Sequence, residues 1–432
     1  MVLGVLAAVA FTPAAAKPFT FVAVHDGSRV AVYDHATSVW IGSVNVGTAP
    51  IGITADASQR IIAVSNYLSN TVSLVNIASR ALVGTVGVGA QPLGVVAPAG
   101  RTLVYVANFG VGTVSVIDLP TQTVTRTVGV GNQPSGLAAS VNGDRVFVAN
   151  TADNSVSVID TASNTVVNTI SGIPSRPYAL AWVSNGTSSR LLVASNNHAS
   201  VSVLDGDTYA ALGTLNTGPN PTSLAAVSAT QVYVTHGFDG TVRVIDPYAL
   251  TVSPPLVLGT RNFAVATAPG VGFASLVAYP DQLQLINTAS NTAGALTTVP
   301  AGTYAPLTLG AFVVNPAYVC ALDLNGDGVY DAQDSTVIVR YLAGLRGNAL
   351  VSGLPSMNLT TVSAVLAALD LDADGVGGAN ATSDGLLLER AARGSFGPAL
   401  ISNARNQALP GVRSSTQVLD WIATTHGVNC LP

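Results

Sequence analysis

Seven strand phrases of one pattern recur along the first three quarters of this chain: VAVYD ending at Asp34, VSLVN at Asn76, VSVID at Asp118 and Asp160, VSVLD at Asp205, VRVID at Asp246 and LQLIN at Asn287. The steps between their last residues are 42, 42, 42, 45, 41 and 41. A period of roughly 40 to 45 residues with several strands per unit is the spacing of propeller blades, each of which buries its faces only against its neighbours. The repeat therefore sets the architecture before any chemistry is considered.

Within each unit an alternating apolar strand such as VYV 104-106 or VFV 146-148 leads into a polar tip and then into the V-x-V-I-D strand. A Thr/Val strand follows, then a turn ending in Pro, then a strand of small residues such as SGLAA. Small side chains suit the innermost strand, where the blades crowd the axis. The chain enters its first unit at the second strand, so that blade must borrow its inner strand. The stretch YAPLTLGAF, Tyr304 to Phe312, is the seventh strand of the inner type and is expected to close the ring at 304-312, which removes free sheet edges. The fold class expected is all-β, a seven-bladed β-propeller over 17-317, with a small, mainly α calcium-loop domain over 318-432.

Composition adds a compartment. The 432 residues are 48% hydrophobic and only 9% charged, with Glu389 and Lys17 the sole examples of their types. A formal charge of -5 argues against a nucleic-acid partner, which needs a basic field. No run of 18 apolar residues follows the N-terminus, so no transmembrane segment is expected. Residues 1-16 contain LGVLAAVAFTPAAA, whose apolar core and terminal alanines read as a secretory signal cut after Ala16, although no Lys or Arg precedes the core. The expected location is secreted or cell-surface. Cys320 and Cys430 flank the last 110 or so residues, and in an exported chain they are expected to form a disulfide that clasps the two ends of one domain.

Ligand candidates on the propeller lie where the repeat breaks its rule. Aligned at the tip between the second and third strands, the units carry His25, Asn66, Asn108, Asn150, Asn196, His236 and Tyr279. Aligned before the inner-strand proline or its equivalent, they carry Ala49, Gln91, Gln133, Arg176, Asn220 and Arg261. His25, His236 and Tyr279, with Arg176 and Arg261 nearer the axis, are the candidates for a polar patch that takes an anionic or sugar ligand. The Asp that ends V-x-V-I-D is read as a turn-former that accepts local backbone hydrogen bonds. The inner strands IGITA, LGVVA, SGLAA, YALAW, TSLAA and FAVAT carry no Glu, His or Arg, and no nucleophile elbow or haem-attachment motif stands out, so no catalytic residue is assigned.

The strongest chemical motif is C-terminal. DLNGDGVYDAQD from Asp323 places Asp323, Asn325, Asp327, Asp331 and Asp334 at loop positions 1, 3, 5, 9 and 12. The carbonyl of Val329 stands at position 7 and Gly328 at the sharp turn, which is the ligand spacing of an EF-hand calcium loop. A second loop, DLDADGVGGANATSDG, offers Asp370, Asp372, Asp374 and the carbonyl of Val376, with Asp384 arriving three residues late. An apolar helical pattern follows each loop, STVIVRYLAGLRG and LLLERAARG. Two calcium ions are the cofactors expected.

These loop-helix pairs resemble the dockerin-type duplicated calcium module over about 320-400, which implies calcium-dependent folding and an extracellular docking role. The resemblance departs in the 47-residue offset between loops and in Ala332 and Gln333 at the positions dockerins use for recognition. Phrases such as VYVANFGVGTVSVIDLPTQTVTRTVGVGNQPSGLAAS resemble the YVTN-repeat propellers, relatives in fold of lactonase propellers, over about 20-317. That resemblance implies an exported or surface protein and leaves activity open. The function expected is a non-enzymatic exported binding or scaffold protein with an extracellular protein or polysaccharide partner. The alternatives are a subunit of a surface layer or filament, which implies a homo-oligomer, and a lactonase-like hydrolase with a rim site.

Overall fold

The computed structural model describes residues 18-300 except 36, 78, 79, 259, 260, 269, 270 and 280, together with 309-314, 332-343 and 352. The chain divides into two compact units, one of them Pro18–Asn315. That unit is an all-β, seven-bladed propeller. In the third blade Pro92–Val96, Leu103–Asn108, Thr113–Asp118 and Thr123–Gly129 pair in that order, each antiparallel to the last. The fourth blade (Pro134–Ala139, Arg145–Asn150, Ser155–Asp160, Thr165–Ile170) and the fifth (Pro177–Ser184, Ser189–Ser195, Ser200–Asp205, Ala211–Asn216) repeat this order.

The local sequence explains each element. The inner strands of blades two to six open with Pro50, Pro92, Pro134, Pro177 and Pro221, at the first strand residue, where a missing N–H disturbs the ladder least. Their glycines answer to crowding: a Cβ on Gly52, Gly94 or Gly136 would meet the carbonyl oxygen of Leu93, Ser135 or Tyr178 on the next blade at 2.2, 2.3 or 2.4 Å. Alternation in the second and third strands buries side chains on both sheet faces, so Phe147, Val156 and Val158 of the fourth blade share a core with Leu191, Val193 and Leu204 of the fifth. The Asp at the end of V-x-V-I-D does form the following turn: Asp160 Oδ1 accepts from the amides of Ala162 and Ser163, and Asp246 Oδ1 from those of Tyr248 and Ala249.

Ring closure differs in detail from the sequence expectation. Val313–Val314 pairs antiparallel with Phe19–Val24, and the Phe21 amide donates to the Phe312 carbonyl at 2.9 Å. Among the described residues the pairing with the first blade thus falls at 312-314, at and just beyond the end of the expected 304-312, of which 304-308 lie outside the described residues. Leu309–Ala311 instead runs parallel to Pro50–Ala55 of the second blade. Gly310 permits the change of direction: its φ is +93° and a Cβ there would lie 2.5 Å from the Ile53 carbonyl oxygen. Side chains complete the seam between first and last blades. Thr20 Oγ1 lies 2.7 Å from His35 Nε2 and 2.8 Å from Ser275 Oγ, the His35 ring centroid is 4.1 Å from that of Phe273, and Trp40 Nε1 donates to Thr297 Oγ1 at 3.3 Å.

The outer strand of the sixth blade is broken into Thr251–Val252 and Leu256–Val257, with Pro254 and Pro255 between them. Two consecutive prolines cannot donate to a ladder, so the break is tolerable only on an outer edge.

In the other unit the described element is one helix, Ala332–Leu342, with Val337 and Ile338 buried. Of the expected calcium ligands it contains Asp334. Asp323, Asn325, Asp327, Val329 and Asp331 of the first loop and Asp370, Asp372, Asp374, Val376 and Asp384 of the second lie outside the described residues, as do residues 1-16, Cys320 and Cys430. No helix among the described residues is long and apolar enough to cross a membrane.

Candidate functional site

Of the five residues expected to form a polar patch on the blade tips, two meet and one is removed from the surface. Arg261 and Tyr279 face each other across paired strands, with the guanidinium carbon 6.0 Å from the ring centroid, and both are exposed. His25 Nδ1 is 2.6 Å from Asp26 Oδ1, its own chain neighbour. Arg176 is exposed at φ +61°, and its amide donates to Asn154 Oδ1 at 2.8 Å. His236 is the clear correction: it is fully buried and offers nothing to a ligand on the surface.

For His236 the reason lies in its place at the end of the second strand, which is internal in blades two to four as well. Asn66, Asn108 and Asn150 are fully buried there, and each Nδ2 donates to two hydroxyls of the third strand: Thr71 and Ser73, Thr113 and Ser115, Ser155 and Ser157, all at 2.9 to 3.0 Å. These asparagines fasten the end of the second strand to the start of the third through their buried amide nitrogens. His236 takes the same place in the sixth blade, and burial holds its imidazole below the ordinary value with Asp239 opposing the effect.

A better-formed site lies at the opposite turns, between the fourth and fifth blades. A cavity of about 360 Å³ is lined by Ser140, Asp144, Arg145, Trp182, Asp207 and Tyr209, among others. Trp182 ends the inner strand segment YALAW, where the corresponding segments end in Ala55, Ala97, Ala139, Ala226 or Thr267. It stacks on Phe147 with centroids 4.9 Å apart and planes 16° from parallel, and Tyr209 meets the same Phe147 edge-on at 5.9 Å. Room for the indole comes from Gly206, where a Cβ would lie 2.6 Å from Trp182 Cη2. Elsewhere the repeat joins blades here by a phenol and an amide, Tyr105 to Asn164 at 2.5 Å; Phe147 with Tyr209 replaces that bond by an aromatic contact.

The polar groups of this groove are held in place. Arg145 Nη1 binds Asp160 Oδ2 at 2.6 Å and the Asp144 carbonyl at 2.9 Å, and Ser140 Oγ binds Asp144 Oδ1 at 2.7 Å. Backbone and side-chain hydrogen bonds from Ser163 keep the Asp160 carboxyl below the usual range, while burial raises the Tyr209 phenol. Asp207 stands exposed at the rim. An aromatic floor ringed by hydroxyls and carboxylates can hold a ligand by stacking and hydrogen bonding.

Trp182 also lines a second cavity, of about 240 Å³, on the propeller axis. Its walls are Val95, Val96, Leu137, Leu180, Leu224 and Val265, with Thr54 and Thr267 the polar side chains and no titratable group among the described residues that line it. The axis is therefore an apolar throat, and Trp182 is common to it and to the groove.

Fold and site together define a seven-bladed β-propeller with an aromatic inter-blade groove. A family model described as a YNCE-like beta-propeller matches residues 90-246, the third blade through most of the sixth. Among solved structures the chain is similar to one described as Kuenenia stuttgartiensis hydrazine synthase, at 18% identity and a TM-score of 0.53, covering 69% of this chain and 99% of that one. It is also similar to dihydro-heme d1 dehydrogenase NirN in complex with DHE, at 13% identity and a TM-score of 0.52, covering 67% of this chain and 75% of that one. At such identities the likeness concerns the fold alone. No curated protein sequence matches the chain.

Proposed function

We propose that this chain is a non-enzymatic, exported binding protein whose propeller holds an extracellular ligand or partner in the groove between the fourth and fifth blades. The observation that carries the reading is Trp182, the aromatic that interrupts a ring of small inner-strand ends and lines both groove and throat. Aromatic anchors in pockets with a few fixed polar groups are where binding energy concentrates. The C-terminal region, through two calcium ions at the loops beginning with Asp323 and Asp370, anchors or assembles the protein, and the export reading rests on residues 1-16. The groove is tested with an array of polysaccharide fragments and peptides probed by the full chain and by Trp182→Ala. Signals carried by the native chain should fall at least about tenfold in the variant at unchanged circular dichroism. Equal signals from both would discard the groove as the site.

A further inference from the structure

The sixth blade breaks the repeat at two coupled positions. In blades two to four the buried tip asparagine donates to a third-strand serine seven residues on, Asn66 to Ser73, Asn108 to Ser115 and Asn150 to Ser157. In the sixth blade the same positions hold His236 and Arg243, the Arg of VRVID. The neutral amide–hydroxyl pair, whose amide nitrogen is fully used, has become two cationic or ionisable groups with unmet nitrogens.

Neither group is satisfied by its surroundings. His236 Nδ1 lies 3.2 Å from Thr241 Oγ1 and 3.3 Å from the Thr241 carbonyl, but its Nε2 is buried without a partner. Arg243 Nη1 donates to the Ser253 carbonyl at 3.3 Å, at the break in the outer strand, while its Nε is buried without a partner. No carboxylate pairs with Arg243 among the described residues. Both orphan nitrogens stand beside Gly218, 3.5 and 3.9 Å from where its Cβ would be, and at φ +110° that position suits only glycine. The neighbouring Thr217 is also fully buried, with its Oγ1 unpartnered.

Arg Nε–H can only donate, and a Thr hydroxyl can donate too. The His236 ring presents Nε2–H whenever Nδ1 accepts from Thr241 Oγ1. A buried donor left unmet costs about 1–3 kcal/mol, and a guanidinium without a counter-charge costs more. An acceptor that carries negative charge and fits beside a glycine would meet all of these demands together.

The geometry points to a binding site for one small monovalent anion of halide size between Thr217, His236 and Arg243, where the chain passes from the fifth blade to the sixth. The anion supplies the counter-charge that the repeat's Asn–Ser pair never needed. It occupies a place apart from the Trp182 groove, so this site and the groove stand or fall separately.

Crystals of the full chain grown in sodium bromide test it directly. An anomalous bromine peak within about 3.5 Å of Arg243 Nε is the expected result. A peak-free site holding water alone would overturn the proposal. In solution, exchanging about 0.5 M sodium gluconate for sodium bromide at constant ionic strength should raise the melting temperature by about 2–3 °C. The double variant His236→Asn with Arg243→Ser, which installs the residues of blades two to four, should remain folded and lose that response. An equal bromide response in the variant would overturn the proposal. Should the pair fail to fold, Arg243→Ser alone is read for the same loss.

Discussion

At the residue scale, polar side chains buried within strands decide where this propeller is rigid. Asn108 joins two strands through Thr113 and Ser115, and Asn108→Ala leaves both hydroxyls without their donor. A loss of about 2–3 kcal/mol in urea unfolding of the full chain is expected. His35 carries the pH dependence of the closure seam. Burial against Phe273 and Tyr33 lowers its pKa from 6.5 to about 4, with Asp34 opposing the shift. Below pH 6.5 the unfolded chain binds a proton that the native ring refuses until about pH 4. Stability should therefore fall as pH falls through that window and level off below it, by about 2 kcal/mol after allowance for partial exposure. Subtracting the pH–stability curve of His35→Gln isolates the term; parallel curves would show that the seam is indifferent to this ring.

At the scale of elements, close approach and closure matter most. Gly94→Ala sets a methyl 2.3 Å from the Ser135 carbonyl of the next inner strand, which backbone cannot relieve without moving a blade. A loss of about 1–3 kcal/mol in melting or urea titration is expected, whereas Gly87→Ala, which meets nothing within 4 Å, should cost less than about 1 kcal/mol. Phe312, fully buried beside the closing strand, is the corresponding test of closure. Phe312→Ala should cost about 3–5 kcal/mol and speed proteolysis at the seam between first and last blades. These elements were legible because strand alternation and a repeated phrase are local signals. The two-residue closing strand was not, since so short a stretch has no period and its partner lies nearly 300 residues away.

For the molecule as a whole, calcium is the variable to remove. If Asp323, Asp327, Asp331 and Asp334 form the proposed calcium loop, their carboxylates repel one another without a cation, and EGTA should lower the melting temperature of a separate C-terminal transition while leaving that of the propeller in place. Differential scanning calorimetry of the full chain, repeated with Asp323→Ala and Asp327→Ala, reads this out; a single transition blind to EGTA would remove calcium from the account. The candidate groove illustrates the limit of reading by motif. Trp182 is visible in YALAW as the one aromatic among the ends of the six repeated inner-strand segments, IGITA to FAVAT. What it touches, Phe147 and Tyr209 from other strands, depends on how adjacent blades stack. His236 left the proposed patch for the opposite reason: polarity in sequence suggested exposure, and packing across strands buried it instead.

The sequence by itself determined the number of blades and the order of strands within each, because both follow from a local pattern repeated about every 42 residues. Only the tertiary structure decided which departures from that pattern meet. It buried His236 beside Arg243 and Gly218, brought Trp182 to both groove and axis, and placed 313-314 against Phe19–Val24. A repeat specifies what every blade shares, whereas burial, unpaired donors and ring closure depend on contacts between blades, which no single copy of the phrase contains.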